Sequence, residues 1–169
     1  ARDTKPSLET VDLNSLAQEV IEASRGRIAG TPIALHSRFD SAMPPMRLDP
    51  VRFFDALLNL VTNAIEAMLE ARSSPAELTI TTRFDANAQE ARVRVADTGP
   101  GMSCETRQRL FEPFFTTKGE RGTGLGLAMA HNVVGERGGR IEVETEQGKG
   151  CAFEILLPVE WPPRSAGVE

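Results

Sequence analysis

Two glycine-rich runs enclose a polar, charged segment in the middle of the chain. Asp97-Thr98-Gly99-Pro100-Gly101-Met102 opens it, and Gly122-Thr123-Gly124-Leu125-Gly126-Leu127 closes it. Glycine lets backbone N–H groups approach phosphate oxygens and reaches conformations closed to other residues, so this pair of turns suggests a phosphate-bearing ligand. Between them stands Phe111-Glu112-Pro113-Phe114-Phe115-Thr116-Thr117-Lys118. Its hydroxyls and the Lys118 ammonium, a point charge on a flexible stem, could reach a terminal phosphate, with Arg121 a weaker candidate. From Leu125 an apolar helical pattern begins, and a glycine loop feeding a helix N-terminus is itself an anion site through its N–H groups and the helix dipole. Gly-x-Gly-x-Gly taken alone is a nonspecific motif.

Other residues could complete a nucleotide site. Asp97 follows a strand pattern; it is either a turn-stabilising aspartate or a fixed carboxylate accepting from an adenine amino group. Asn59, Asn63 and Glu66 lie at i, i+4 and i+7 of a helical pattern and so share one face. Asparagine competes for backbone hydrogen bonds, and two of them in mid-helix need a reason. Either they form a solvent-exposed or buried amide network, or they present neutral carbonyl oxygens to a hard cation such as Mg2+.

The elements that must position these residues follow from periodicity and punctuation. Asp12 can cap a helix through about Ser24, with Leu13, Leu16, Ala17, Val20 and Ile21 on one face. Residues 32–39 alternate as a strand, with His36 on its other face in a packing or surface role. Asp49 caps and Pro50 opens the longest helix, to about Ala71, with a broad apolar stripe from Phe53 to Leu69. Glu77 to Phe84 and Ala91 to Ala96 form a hairpin ending at Asp97. A short helix is expected over 103–110, followed by three phenylalanines as a hydrophobic anchor. The helix from Leu125 carries His131, for which packing or capping outweighs catalysis. It ends at Gly138-Gly139, before a last hairpin of 140–145 and 151–157. Trp161 is expected in a loosely held tail.

Composition narrows the classes. The 169 residues are 40% hydrophobic and 25% charged, which suits one globular domain with a real core. A net charge of −5 and no basic run speak against a nucleic-acid surface. Cys104 and Cys151 have neither metal-type spacing nor a disulfide framework, as expected in a reducing cytoplasm. No apolar run reaches the roughly 18 residues of a membrane span, so no membrane contact is expected. The polar opening without Met suggests a piece of a longer chain.

Taken together, these residues resemble the ATP-binding catalytic domain of sensor histidine kinases, within the superfamily that includes gyrase-type and chaperone ATPases. The resemblance covers about residues 10–158. Asn59-Leu60-Val61-Thr62-Asn63-Ala64 is similar to the asparagine box, 97–102 to the first glycine box, 111–118 to the phenylalanine box and 122–127 to the last glycine box. It implies an α/β sandwich, a mixed, mostly antiparallel sheet packed on helices, holding ATP beneath a lid of residues 103–121. Asp97 would read adenine, Asn63 and Asn59 would hold Mg2+, Lys118 and the glycine-loop amides would meet the phosphates, and Gly99, Gly101, Gly122, Thr123, Gly124, Leu125 and Gly126 would all line the nucleotide. It divides the chain into a linker (1–10), the catalytic domain (11–158) and a tail (159–169). In the family's water-splitting ATPases and serine kinases a glutamate general base stands where Asn59 stands here. A neutral imidazole already has a free lone pair, so Asn59 favours transfer to histidine. Neither His36 nor His131 resembles the family's phosphoacceptor, which implies an acceptor and dimerisation domain elsewhere, preceding residue 1 or in another protein, and a downstream response regulator. A lid-driven ATPase and a non-catalytic adaptor are the alternatives.

Overall fold

A computed structural model describes residues 5–115 and 125–163. The elements in chain order are β1 (Glu9–Val11), α1 (Leu13–Ile28), β2 (Ala34–Arg38), β3 (Met46–Leu48), α2 (Pro50–Ala71), β4 (Glu77–Asp85), β5 (Glu90–Asp97), α3 (Cys104–Arg109), α4 (Gly126–Glu136), β6 (Arg140–Thr145) and β7 (Cys151–Pro158). Five strands form one sheet in the order β2-β4-β5-β7-β6, parallel only between β2 and β4, and β1 pairs with β3 in a separate ribbon. The parallel pair requires a crossover, which α2 supplies. This is the mixed, mostly antiparallel sheet packed on helices that the resemblance implies.

α2 lies between α1 and α4 in the helical layer. Its buried Leu57, Leu60, Val61, Ala64, Ile65 and Met68 join Leu78 and Ile80 of β4, Val93 and Val95 of β5, and Phe153, Ile155 and Leu157 of β7 in one core. The alternation of the strands sends the other face outward, where Arg92, Arg94 and Arg140 pair with Asp85, Glu90, Glu142, Glu144 and Glu154. The exposed pairs among these, such as Arg140 with Glu142, add little stability each.

Helix starts follow the sequence closely. The Asp12 carboxylate accepts from Asn14 and Ser15 N–H groups at 3.0 and 3.4 Å, and that of Asp49 accepts from Val51 and Arg52 at 3.1 and 3.2 Å. α1 continues a turn beyond Ser24. The Ser24 hydroxyl donates back to the Val20 carbonyl at 2.8 Å and so stays inside the helix, and the stop is Gly30 at φ +76°. The apolar stripe of α2 is narrower than expected, since Leu69 is 38% exposed. β1 and β3, three residues each, carry no alternation long enough to detect.

Trp161 departs from the loose tail expected of it. A Cβ placed on Gly138 would stand 2.4 Å from its ring, and the Arg137 guanidinium lies 6.0 Å from its centroid. Buried Arg137 in turn donates to the carbonyls of Arg47 (2.6 Å) and Val159 (3.3 Å), which ties the end of α4 to β3 and to the segment after β7. Among the described residues no helix is long and apolar enough to cross a membrane.

One buried polar knot holds α1 to the sheet. The Thr82 hydroxyl donates to Asn14 Oδ1 at 2.6 Å and accepts from the Asp40 N–H at 3.0 Å, while Asn14 Nδ2 donates to the Asp40 carbonyl at 2.8 Å. Thr82→Val keeps the shape but strands a buried N–H and an amide oxygen. The expected loss is about 1–3 kcal/mol, read as a lower midpoint in urea unfolding with an unchanged slope; a midpoint equal to wild type would remove the knot from the list of stabilising contacts.

Candidate functional site

The first glycine turn is built on the end of β5. Asp97, the last residue of that strand, pairs with Leu78 on one side and Cys151 on the other. Its Oδ1 accepts from the Gly99 N–H at 2.8 Å. A Cβ on Gly99 would lie 2.8 Å from that same oxygen and 3.4 Å from Met68 Cγ, so any side chain here would displace the carboxylate. Thr98 pins the loop to β4: its hydroxyl donates to the Pro75 carbonyl (2.7 Å) and accepts from the Glu77 N–H (2.8 Å). Gly101, at φ +66°, approaches so closely that a Cβ would stand 2.2 Å from the Glu146 carbonyl.

Burial raises the Asp97 carboxyl above the usual carboxylate range, opposed by the N–H groups of Gly99 and Cys151 that point at it. Burial and the Asp97 charge together push the Cys151 thiol up to about 12. Such a thiol is inert at neutral pH, as a packing role requires.

Asn59, Asn63 and Glu66 stand half-buried along one flank of α2. A Cβ on Gly126 would lie 3.3 Å from Asn59 Oδ1, so the first residue of α4 comes close against the Asn59 amide. No side chain caps the N-terminus of α4. Among the described residues no group of three His, Cys, Asp or Glu could hold a metal ion. The carbonyl oxygens of Asn59 and Asn63 are hard, neutral donors that fit Mg2+ if phosphates and waters complete its shell.

α2 therefore links two half-sites. Met68 lies beside the Gly99 turn and Asn59 beside Gly126, each within 3.4 Å of where a Cβ on the glycine would stand. Nine residues apart on one helix, they are separated by roughly 14 Å along its axis, with Asn63 between.

The phenylalanines divide. Phe111 stacks on His131 with centroids 4.7 Å apart and meets Phe153 edge-on at 6.5 Å, so it anchors the segment, and His131 has the packing role expected. Phe115 lies under the Arg109 guanidinium at 4.5 Å, whereas Phe114 is 75% exposed at φ +66° and anchors nothing. Lys118, Gly122, Thr123 and Gly124 lie outside the described residues, as do Thr116, Thr117 and Arg121; Leu125 and Gly126 lie inside. Sequence reasoning missed Met68 and Thr98 as walls of the turn, and the 146–150 turn that Gly101 packs on. The positive-φ glycines Gly148 and Gly150 were the signal available for the last of these.

Residues 48–160 match the model of the histidine kinase-, DNA gyrase B-, and HSP90-like ATPase family. The chain is 34% identical over 158 residues to sensor histidine kinase ZraS of Escherichia coli K12, taking in 94% of this chain and 32% of that one. With sporulation kinase E of Bacillus subtilis it shares 38% identity over 117 residues, 69% of this chain and 15% of the relative. The chain thus spans about a third or less of the length of these curated relatives. Among solved structures, the nucleotide-free catalytic domain of histidine kinase ThkA superposes with a TM-score of 0.78 at 31% identity, covering 90% of this chain and 98% of that one. Full-length ShkA in complex with AMPPNP gives 0.80 at 30% identity, covering 94% and 32%.

The raised Asp97 carboxyl makes a prediction about stability. A carboxyl whose folded pKa exceeds its unfolded value favours the fold below the unfolded pKa and loses that contribution as pH rises through the folded one. Asp97→Asn keeps the acceptor for Gly99 and removes the buried charge. It should be at least as stable as wild type at pH 7, with the advantage shrinking as the pH falls to about 4, the unfolded value. Denaturant midpoints at the two pH values decide; a variant less stable at pH 7 by a margin that pH does not change would contradict this origin.

Proposed function

Because the chain belongs to the family of histidine kinase-, DNA gyrase B-, and HSP90-like ATPases, we propose that it binds Mg-ATP and donates the γ-phosphoryl group to a histidine on a separate dimerisation and phosphoacceptor domain. The observation that carries this reading is the pair of half-sites on α2, Met68 beside the Asp97–Gly99 turn and Asn59 beside the start of α4. In it, Asp97 accepts from the adenine amino group, with the Gly99 turn shaped around the base. Asn63 and Asn59 hold the metal, and the amides at the start of α4, with the 122–126 run and Lys118, receive the phosphates.

Catalysis by these residues is positioning and charge neutralisation. Mg2+, when bound, neutralises charge on the phosphate oxygens. Asn59 supplies no general base, which an imidazole acceptor does not need and a water or serine nucleophile would. The partners that fit are a histidine-bearing helical domain, preceding residue 1 or in another protein, and a response regulator that takes the phosphoryl group onward. ThkA is known in complex with its response regulator TrrA. We place the domain in the cytoplasm, where ATP is available, with no nucleic-acid partner and no membrane contact of its own.

Three measurements test the reading. Given γ-labelled ATP and Mg2+, the chain alone should retain ATP and release free phosphate only slowly; rapid release would make it a water-directed ATPase, label fixed to the chain would make His36 or His131 an acceptor, and failure to retain ATP would favour an adaptor. Asp97→Ala should lose about 1.5–3 kcal/mol of binding, roughly 10- to 150-fold in affinity, and unchanged affinity in a folded variant would remove Asp97 from the site. Asn63→Ala should weaken nucleotide binding chiefly with Mg2+ present, so an equal loss in excess chelator would take Asn63 off the metal.

A further inference from the structure

The loop 97–102 does not stand by itself; it rests on the turn between β6 and β7. Gly101 packs against the Glu146 carbonyl, and a Cβ on Gly150, at φ +93°, would stand 2.2 Å from the Asp97 carbonyl. The Gly148 N–H donates to the Pro100 carbonyl at 2.7 Å. These are backbone contacts. A side-chain hydroxyl also joins the two segments: that of Thr145 donates to the Gly150 carbonyl at 3.0 Å and accepts from the Met102 N–H at 3.0 Å. Its direction is fixed, because a carbonyl can only accept and an N–H can only donate.

We propose that Thr145 is a positioning residue of the nucleotide site, whose hydroxyl sets the 97–102 loop against the β6–β7 turn and thereby holds Asp97 and Gly99 in register for the base. This rests on the reading of that loop as the adenine end of the site. At one end of the bridge, Met102 precedes Ser103, whose hydroxyl caps α3 by accepting from the Thr106 N–H at 3.2 Å. At the other, Gly150 precedes Cys151, the strand partner of both Asp97 and Thr145. α3 is held to the same strand, since Arg107 Nη2 donates to the Val143 carbonyl at 2.8 Å. Strand β6 is thus the rail along which the purine loop and α3 are both aligned. Without the hydroxyl, Met102 N–H and Gly150 C=O lose their shared partner, and the loop is free to shift by the few tenths of an ångström that the Gly99–Asp97 contact does not allow.

The test is nucleotide affinity by titration calorimetry on wild type, Thr145→Val and Thr145→Ser. Valine keeps the volume and deletes the hydroxyl's hydrogen bonds, the one with the Cys151 thiol included; serine keeps the hydroxyl. Thr145→Val should bind ADP and Mg-ATP roughly 3- to 10-fold more weakly. The factor should be the same with Mg2+ as in excess chelator, because the defect lies at the base and not at the phosphates. Thr145→Ser should stay within about twofold of wild type. A role in stability alone would lower the unfolding midpoint and leave the affinity of the folded protein unchanged. Should Thr145→Val fail to fold, Thr145→Ala, which removes the hydroxyl without adding an apolar branch, answers the same question. Wild-type affinity in a folded Val or Ala variant, equal losses in Val and Ser, or a loss seen only with Mg2+ overturns the inference while wild type still binds nucleotide. Wild type that binds neither nucleotide overturns it together with the reading on which it rests.

Discussion

Burial of one flank of α2 fixes everything that the other flank can present. Leu57, Leu60, Val61, Ala64, Ile65 and Met68 sit in the core between helices and sheet, and Asn59, Asn63 and Glu66 sit half-buried beside them. Turning the helix by one residue, about 100°, would carry amides into the core without partners and bring leucines out. Each stranded amide would cost about 1–3 kcal/mol. The orientation of the oxygen row is therefore set by hydrophobic burial and not by the ligand. Asp49 and Pro50 at one end and the left-handed Arg72 at the other set where the helix begins and ends, so the row is fixed along the axis as well.

On that floor the rest of the site is made by close approach. Gly99, Gly101, Gly126 and Gly150 each stand where a Cβ would come within 3.3 Å of a carbonyl, carboxylate or amide oxygen. In two of these cases, Gly101 and Gly150, the neighbour is main chain and cannot rotate away. The consequence is a loop held by its backbone, with few side chains to adjust. Asp97 is desolvated in that setting and its carboxyl is raised, a small departure from the most stable choice at a position where an acceptor is needed. Two hydroxyls fasten this loop to its supports, Thr98 toward β4 and Thr145 toward the β6–β7 turn.

The sequence made legible what depends on local pattern. The caps at Asp12 and Asp49, the hairpin leading into Asp97, the glycine stop at 138–139 and the Asn row all follow from spacing and turn chemistry, and the structure places them where those rules put them. What was illegible depends on partners far along the chain. Trp161 reads as an aromatic stranded among prolines until Gly138 is found beneath it, and nothing near Gly138 announces that an indole will cover it. Likewise Phe111, Phe114 and Phe115 look alike in sequence, yet only Phe111 has His131 and Phe153 within reach. β1 and β3 failed for another reason: three residues cannot show an alternation, and their partners lie almost forty residues apart.

Asn59 connects this architecture to the choice of acceptor. A carboxylate there would stand beside the start of α4, where phosphates are proposed to lie, and could take a proton from a water molecule. An amide in the same place can offer a metal the same kind of oxygen but cannot take that proton at neutral pH. On the proposed reading, holding a polyphosphate without spending it on water is met by an amide in place of a carboxylate, which keeps one oxygen and exchanges the other for a non-basic NH2. The nucleophile has to bring its own lone pair. An imidazole does so without help; of the two in this chain, His131 is stacked on Phe111 and His36 sits on β2, the strand at the sheet edge farthest from β6, so the acceptor we propose is one brought by another domain. On this reading, the absence of a base and the absence of a suitably placed histidine describe one division of labour, in which nucleotide is held by one domain and the phosphoryl acceptor is delivered by another.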